Sequence, residues 1–265
     1  MIAVTGIVGT GLIGASIGLR ARANGEIVLG ADRSGEALRI AREREAIDEA
    51  VSIGDLLARA DRIVVAVPVS QCITVLAGLS GRSLRAELVL DVASVKTPVV
   101  LAAADISSFV GTHPMAGSER SGPAAARADL FAGQTWAYVP VKSASLKARA
   151  VAFIESMGAI AVEVDAQAHD QAVALSSHLP QLFATLFSQR LASRHGAIAQ
   201  LRGPVARELL RLGHSDYSLW KDVFEANAEN IVPELEALAR ALEVAARELQ
   251  TREFRTIEEA FKAQS

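Results

Sequence analysis

The sequence predicts an α/β fold, a doubly wound and mostly parallel sheet followed by an all-helical C-terminal half. Three observations predict it. Short continuous apolar runs recur between helical stretches, a glycine-rich turn joins the first run to the first helix, and strand-like runs stop after Asp165. Unbroken apolar runs suit strands covered on both faces, and their alternation with helices suits parallel strands joined by crossover helices.

The elements follow in order. Met1 to Val8 reads as a buried strand and runs into Gly9-Thr10-Gly11-Leu12-Ile13-Gly14, which opens a helical pattern from Leu12 to Ala23. A G-x-G-x-x-G pattern carries weight only between a strand and a helix, which is where it stands here. Gly9 permits the tight turn, Gly11 the close approach of a pyrophosphate, and Gly14 close packing of helix on strand. The helix start at Leu12 and Ile13 then offers free N–H groups to phosphates. This is the signature of a Rossmann-type dinucleotide site.

The second strand, Glu26 to Ala31, ends at Asp32, about the spacing at which a carboxylate grips an adenosine ribose. A carboxylate there repels a 2′-phosphate, so NAD is the expected cofactor; Arg33 follows directly and is able to meet a phosphate. Arg62 to Val67 is a third run, ended by Pro68 beside the expected cofactor. Glu87 to Val92 is the next, leading into Ala93-Ser94-Val95-Lys96. Phe109-Val110, Thr135 to Pro140 and Ala159 to Val164 complete the series, with helical stretches such as Glu36 to Arg44 and Leu146 to Ser156 between them.

After Asp165, Gln171 to Leu191 reads as one long helix interrupted around Pro180. Ile231, Leu235, Leu238, Leu242 and Leu249 form an apolar stripe on a terminal helix with Glu and Arg on its other faces. Residues 1–165 therefore read as a dinucleotide-binding domain. Residues 166–265 read as a helical substrate and dimerisation domain, whose apolar faces call for a second copy of the chain.

Composition narrows the partners. A net charge of −3 over 265 residues offers no basic face for nucleic acid. Cys72, the one cysteine, excludes an internal disulfide and suits a reducing cytoplasm. No apolar run approaches the roughly 20 residues of a membrane span. The N-terminus lacks the charged start of a signal peptide, and no metal site is expected.

The strand ending at Val110 leads to Gly111-Thr112-His113-Pro114-Met115-Ala116-Gly117-Ser118-Glu119. The expectation is a histidine in a turn locked by Pro114, at the carboxyl end of a parallel strand, where open α/β sheets place their ligand chemistry.

Taken together these patches resemble the prephenate and arogenate dehydrogenase family of tyrosine biosynthesis over essentially the whole chain. The resemblance rests on Gly9 to Ser16 (GTGLIGAS), Asp91 to Lys96 (DVASVK), Gly111 to Gly122 (GTHPMAGSERSG), His169-Asp170 and Ser177 to Pro180 (SHLP). Trp220 to Asn227 (WKDVFEAN) is similar to the family's W-x-D-I-F-x-x-N stretch. It implies that hydride leaves a ring carbinol for NAD, the hydroxyl proton is lost, and CO2 departs as the ring becomes aromatic.

By the same resemblance, His113 is the hydrogen-bond acceptor or base for the alcohol. Ser94 stands between nicotinamide and alcohol, where it would orient His113. Arg211, in a loosely kept stretch with Arg207, grips a substrate carboxylate. Lys96, Ser118 and Glu119 are expected at the substrate cleft, Lys96 and Glu119 as organisers or a gate, with an ordinary surface role as the alternative. His178 is expected to line the cofactor cleft, His169 to make a local hydrogen bond at a helix start, and His195 and His214 to face solvent.

The family often reads S-H-L-P-H, whereas Gln181 stands here after Pro180. That places Gln181 on the substrate side and opens the choice between prephenate and arogenate. The chain length leaves no room for an appended regulatory domain, so inhibition by tyrosine would act at the active site. Two alternatives stay open: a β-hydroxyacid dehydrogenase, with a catalytic lysine on the helical domain, and a non-catalytic dinucleotide sensor.

Overall fold

The computed structural model describes residues 2–117, 120–192 and 203–263. Ser118, Glu119 and His195 lie outside them. Six strands form a parallel sheet in the order β3-β2-β1-β4-β5-β6: β1 (Val4–Val8), β2 (Ile27–Ala31), β3 (Glu49–Ala50), β4 (Arg62–Val65), β5 (Leu88–Asp91) and β6 (Phe109–Val110). The connections include α1 (Leu12–Ala23), α2 (Gly35–Glu43), α3 (Ile53–Arg59), α4 (Val69–Leu79) and α5 (Thr97–Ala102).

Successive strand residues point to opposite faces. Ile7, Val64, Leu88 and Leu90 enter one buried cluster, while Val8, Ile63, Val65 and Val89 enter the other. Both faces are covered, which is why the strands read as unbroken apolar runs. The helices start where short polar side chains cap them: Ser34 accepts from the Ala37 N–H and Ser52 from the Asp55 N–H. β3 carried no apolar run in the sequence and consists of two exposed residues at the sheet edge.

The later strands depart from the expected single sheet. β7 (Thr112–Pro114), β8 (Thr135–Tyr138) and β9 (Ile160–Glu163) form a second sheet, in which β7 runs antiparallel to β8 and β8 parallel to β9. α6 (Ala144–Ser156) joins β8 to β9. His113 is therefore a strand residue, opposite Ala137, and not a turn residue. Pro114 is tolerated because β7 is an edge strand, where a missing N–H breaks no ladder. The anchor is Trp136, fully buried, whose Nε1–H donates to the Thr112 hydroxyl at 3.0 Å.

Beyond Glu163 the described residues are helical. α7 (Ala166–Val173) is capped by Asp165, which accepts from the N–H groups of Gln167 and Ala168. α8 (Leu179–Ala192), α9 (Pro204–Gly213), α10 (Tyr217–Thr251) and α11 (Arg255–Lys262) follow. The interruption expected near Pro180 is a π-helical turn, Ala174 to His178, in which the Leu179 N–H reaches back to the Ala174 carbonyl. Pro180 has no N–H to offer, and the wider turn lets α7 and α8 continue as one rod. In α10 the stripe divides. Ile231 is buried within the chain, whereas Leu242 and Leu249 are 53% and 63% exposed.

Candidate active site

The carboxyl ends of β1, β2, β4 and β5 open onto a cleft of three adjoining chambers. The first, about 500 Å³, is lined by Gly9, Gly11, Asp32, Arg33, Val67 and Pro68. The second, about 400 Å³, shares Gly11, Val67 and Pro68 with it and adds Leu12, Ile13, Ser94, Gly117 and Trp220. The third, about 420 Å³, shares Gly117 and Trp220 with the second and adds Gln181, Arg211 and His214. Most of the expected cofactor residues, with Ser94, Gln181 and Arg211 of the expected site residues, thus lie along one trough.

The glycine turn fits a dinucleotide. Gly9 has φ +95°, and a Cβ there would stand 2.4 Å from the Ala66 carbonyl oxygen. A Cβ on Gly14 would stand 2.0 Å from the Gly9 carbonyl oxygen, so any larger residue would push α1 off β1. Gly11 differs: a Cβ there would meet nothing within 4 Å. Its bare backbone faces open space at the start of α1, as close approach by a phosphate requires. Asp32 braces this turn, its Oδ2 accepting from the Thr10 N–H at 2.7 Å and hydroxyl at 3.1 Å, and its Oδ1 from the Ser34 N–H at 2.8 Å.

His113 is half-buried on β7 and is not among the residues lining the second chamber; Ser94 is. The Nδ1 partner of His113 is His169, at 2.9 Å from its Nε2, and not Ser94 as the resemblance suggested. His169 is buried on α7, and its Nδ1 lies 2.8 Å from Asp170 Oδ1. The same Asp170 oxygen accepts from the Lys96 N–H at 2.6 Å, and Oδ2 from the Thr97 N–H at 2.7 Å. Burial opposes charge on Asp170, yet the hydrogen bonds from His169, Thr97 and Lys96 outweigh it and hold the carboxyl below its ordinary range. Burial, with the nearby Lys96 ammonium acting in the same direction, pushes the His113 imidazole well below the ordinary histidine value.

Lys96 is a correction. Expected at the substrate cleft, it is fully buried, and its ammonium bonds the Asp91 carboxylate and the Thr112 carbonyl at 2.6 Å. Gly111 separates β6 from β7, and this ion pair stitches the two sheets together on either side of that step. A side chain so committed has no surface or gating role.

On the helical side, the Gln181 amide N–H donates to the Leu212 carbonyl at 2.7 Å, joining α8 to the end of α9. The Arg211 guanidinium lines the third chamber and forks onto Glu208, with Nε at 3.0 Å and Nη2 at 2.6 Å. His214 is exposed beside it. His178 is buried, its Nδ1 accepting from Asn227 Nδ2 at 3.1 Å, while its Nε2 is buried without a hydrogen-bond partner among the described residues. Its ring stands edge-on to Trp220 with centroids 6.0 Å apart.

Two residues escaped functional weight in the sequence. Asn227, at a non-helical φ of −125° within α10, also donates to the Asp170 carbonyl at 2.8 Å. Asp222 accepts from the Ser70 hydroxyl and from its N–H at 3.3 Å, capping α4 from the helical half. Their only sequence signal was membership of the WKDVFEAN stretch.

Geometry of this kind defines a class, the two-part oxidoreductases that bind a nicotinamide dinucleotide at the carboxyl edge of a parallel sheet. Comparison with known proteins narrows it. Residues 16–163 match the nucleotide-binding domain of prephenate dehydrogenase, and residues 165–263 match its dimerization domain. The probable prephenate dehydrogenase NovF of Streptomyces niveus is 39% identical over 246 residues, covering 89% of this chain. The match takes in 66% of NovF, so the chain spans just under two thirds of that relative's length.

The prephenate dehydrogenase of A. aeolicus, solved with hydroxyphenyl propionate and NAD+, superposes with a TM-score of 0.87 at 25% identity, covering 100% of this chain and 98% of that one. The arogenate dehydrogenase of Synechocystis superposes with a TM-score of 0.78 at 26% identity, covering 98% of this chain and 96% of that one. The chain belongs to the prephenate dehydrogenase family of NAD-dependent oxidoreductases. That membership stands against the β-hydroxyacid dehydrogenase.

Proposed function

We propose that this chain carries out its family's reaction, the NAD-dependent oxidative decarboxylation of prephenate, arogenate or both, with His113 taking the hydroxyl proton. The observation that carries the reading is a half-buried histidine, whose burial disfavours its cation, one residue beyond the Asp91–Thr112 junction and beside a cleft shaped for a dinucleotide. A neutral imidazole is the form that accepts a proton.

NAD, when bound, supplies the acceptor for the hydride leaving the ring carbinol. Gly9 and Gly14 shape the turn, and Gly11, with Leu12 and Ile13 at the start of α1, would hold its pyrophosphate. Asp32 faces the adenosine ribose with Arg33 beside it, and Val67 and Pro68 flank the passage between the first two chambers. Ser94, on the wall of the second chamber, orients the substrate alcohol. Ser118 is assigned to substrate by the resemblance alone.

Arg211 and Gln181 in the third chamber take the substrate's polar ends. The fork that Arg211 applies to Glu208 is the geometry that suits a substrate carboxylate. With its NH2 group directed at the Leu212 carbonyl and the Thr185 hydroxyl, the Gln181 amide has its carbonyl left for a substrate, which suits the ammonium of arogenate.

The helical half also serves a homodimer. Leu242, Leu249 and Phe261 stand exposed on α10 and α11, within the stretch matching the family's dimerization domain. Light scattering checks this, and a monomer at micromolar concentration would count against it. Among the described residues no helix is long and apolar enough to cross a membrane. The activity is tested by following NADH absorbance with prephenate and with arogenate, each with NAD and NADP. NADH formation from at least one of them with NAD is expected, and turnover of neither would end the reading.

A further inference from the structure

The reading of His113 as a base leaves open which of its nitrogens is free to act. We infer that Asp170, through His169, sets the tautomer of His113 so that Nε2 is the unprotonated nitrogen. Both are positioning residues, since neither is placed against the cofactor or substrate chambers. The proposal rests on His113 being the base, while the arrangement of protons follows from the hydrogen bonds alone.

The chain of donors begins at Asp170. Its Oδ1 and Oδ2 accept from the backbone N–H groups of Lys96 and Thr97 at 2.6 and 2.7 Å, so the carboxylate faces three donors and acts as an acceptor throughout. The third donor is His169, whose Nδ1 stands 2.8 Å from Oδ1 and therefore carries the proton. A neutral imidazole with a proton on Nδ1 has a lone pair on Nε2. That lone pair faces His113 Nδ1 at 2.9 Å, with the two rings edge to face at 72°, so His113 Nδ1 is the donor. The remaining nitrogen, His113 Nε2, is left with its lone pair.

The frame holding the pair is buried and cross-braced. Asn227 Nδ2 donates to the Asp170 carbonyl at 2.8 Å, and its Oδ1 accepts from Asn230 at 2.8 Å, which fixes the amide's orientation. Asp170 and His169 are 1% and 3% exposed, so water does not compete for these positions. When His113 gains a proton, the cation formed is hydrogen-bonded through His169 to a carboxylate held ionised. The same logic of an acid fixing a histidine's tautomer operates in hydrolase triads.

The inference is tested on the full-length protein with 15N-labelled histidine. The expected NMR signature of His113 at neutral pH is a protonated Nδ1 and an unprotonated Nε2. His169→Leu removes the acceptor, and the Nε2–H form should become the major one, with kcat falling by roughly 10- to 100-fold and NAD affinity kept. His169→Gln offers a carbonyl to His113 and an amide N–H to Asp170; it should restore the Nδ1–H form and most of the rate. A wild-type His113 protonated on Nε2, or an unchanged tautomer in His169→Leu, would overturn the inference. If the leucine variant does not fold, the glutamine variant decides it, since loss of the Nδ1–H form there would overturn it equally. The tautomer is read without substrate, so failure of His113 as the base would show separately, in the activity of His113→Ala.

Discussion

The Asp91 carboxylate accepts a hydrogen bond from the backbone N–H of Thr112 at 2.9 Å, tying the last residue of β5 to the first residue of β7. The Thr112 hydroxyl returns a bond to the Asp91 carbonyl. His113 is the next residue along the chain, so its position relative to the strand ends is set by this pair and by the Lys96 ammonium wedged between them.

That arrangement makes Lys96 a stability residue. Lys96→Met would leave a buried carboxylate without its cation, although Asp91 keeps the N–H groups of Ala93 and Thr112. Breaking one side of a buried ion pair typically costs about 3–5 kcal/mol. A fall of that order in unfolding free energy is expected in urea titrations; a change below about 1 kcal/mol would show the pair to be dispensable.

His113→Ala should lower turnover by about 10²–10⁴-fold while leaving NADH binding, read by fluorescence titration, nearly intact. The pH profile carries the sign. Burial first, with the nearby Lys96 ammonium acting in the same direction, depresses the His113 pKa, so the neutral base persists below the ordinary value of about 6.5 and is lost only as pH falls through the depressed pKa. The acid limb of kcat should therefore lie below pH 6.5. A limb above 7 would contradict this environment.

Asp32→Ser should shift cofactor choice toward NADP by removing the charge that repels a 2′-phosphate, with Arg33 on the same chamber wall to meet it. The structure adds a cost. Asp32 also holds the N–H groups of Thr10 and Ser34, so NAD binding should weaken in the same variant. Ratios of kcat/KM for the two cofactors check both effects, and a wild type that works better with NADP would refute the assignment.

Gln181→His should move kcat/KM toward prephenate by about one to two powers of ten, chiefly through KM, because a cationic imidazole favours a keto acid over an ammonium. Gln181 also serves the packing of α8 on α9 through Leu212, and the histidine N–H is able to replace that donor. A wild type strongly preferring prephenate, with unchanged selectivity in the variant, would reduce Gln181 to a packing residue.

Much of this molecule was readable along the chain. The parallel strands announced themselves because both faces of the large sheet are covered, and the glycine turn because phosphate approach and helix packing demand residues without a Cβ. These are short-range constraints, written in contiguous residues. The resemblance located His113 by its neighbours, but the exchange from the large sheet to the small one was hidden, since two-residue β6 and three-residue β7 show no periodicity.

The remaining contacts came from packing. His113 and His169 are 56 residues apart, and Lys96 meets the Thr112 carbonyl across 16. A buried polar group must find its partner wherever packing brings one, and no local pattern records which donor will face which acceptor. The longer strands, the glycine turn and the residue types of the site are written in contiguous residues; packing placed Lys96 as a brace between the sheets and set an aspartate and two histidines in line.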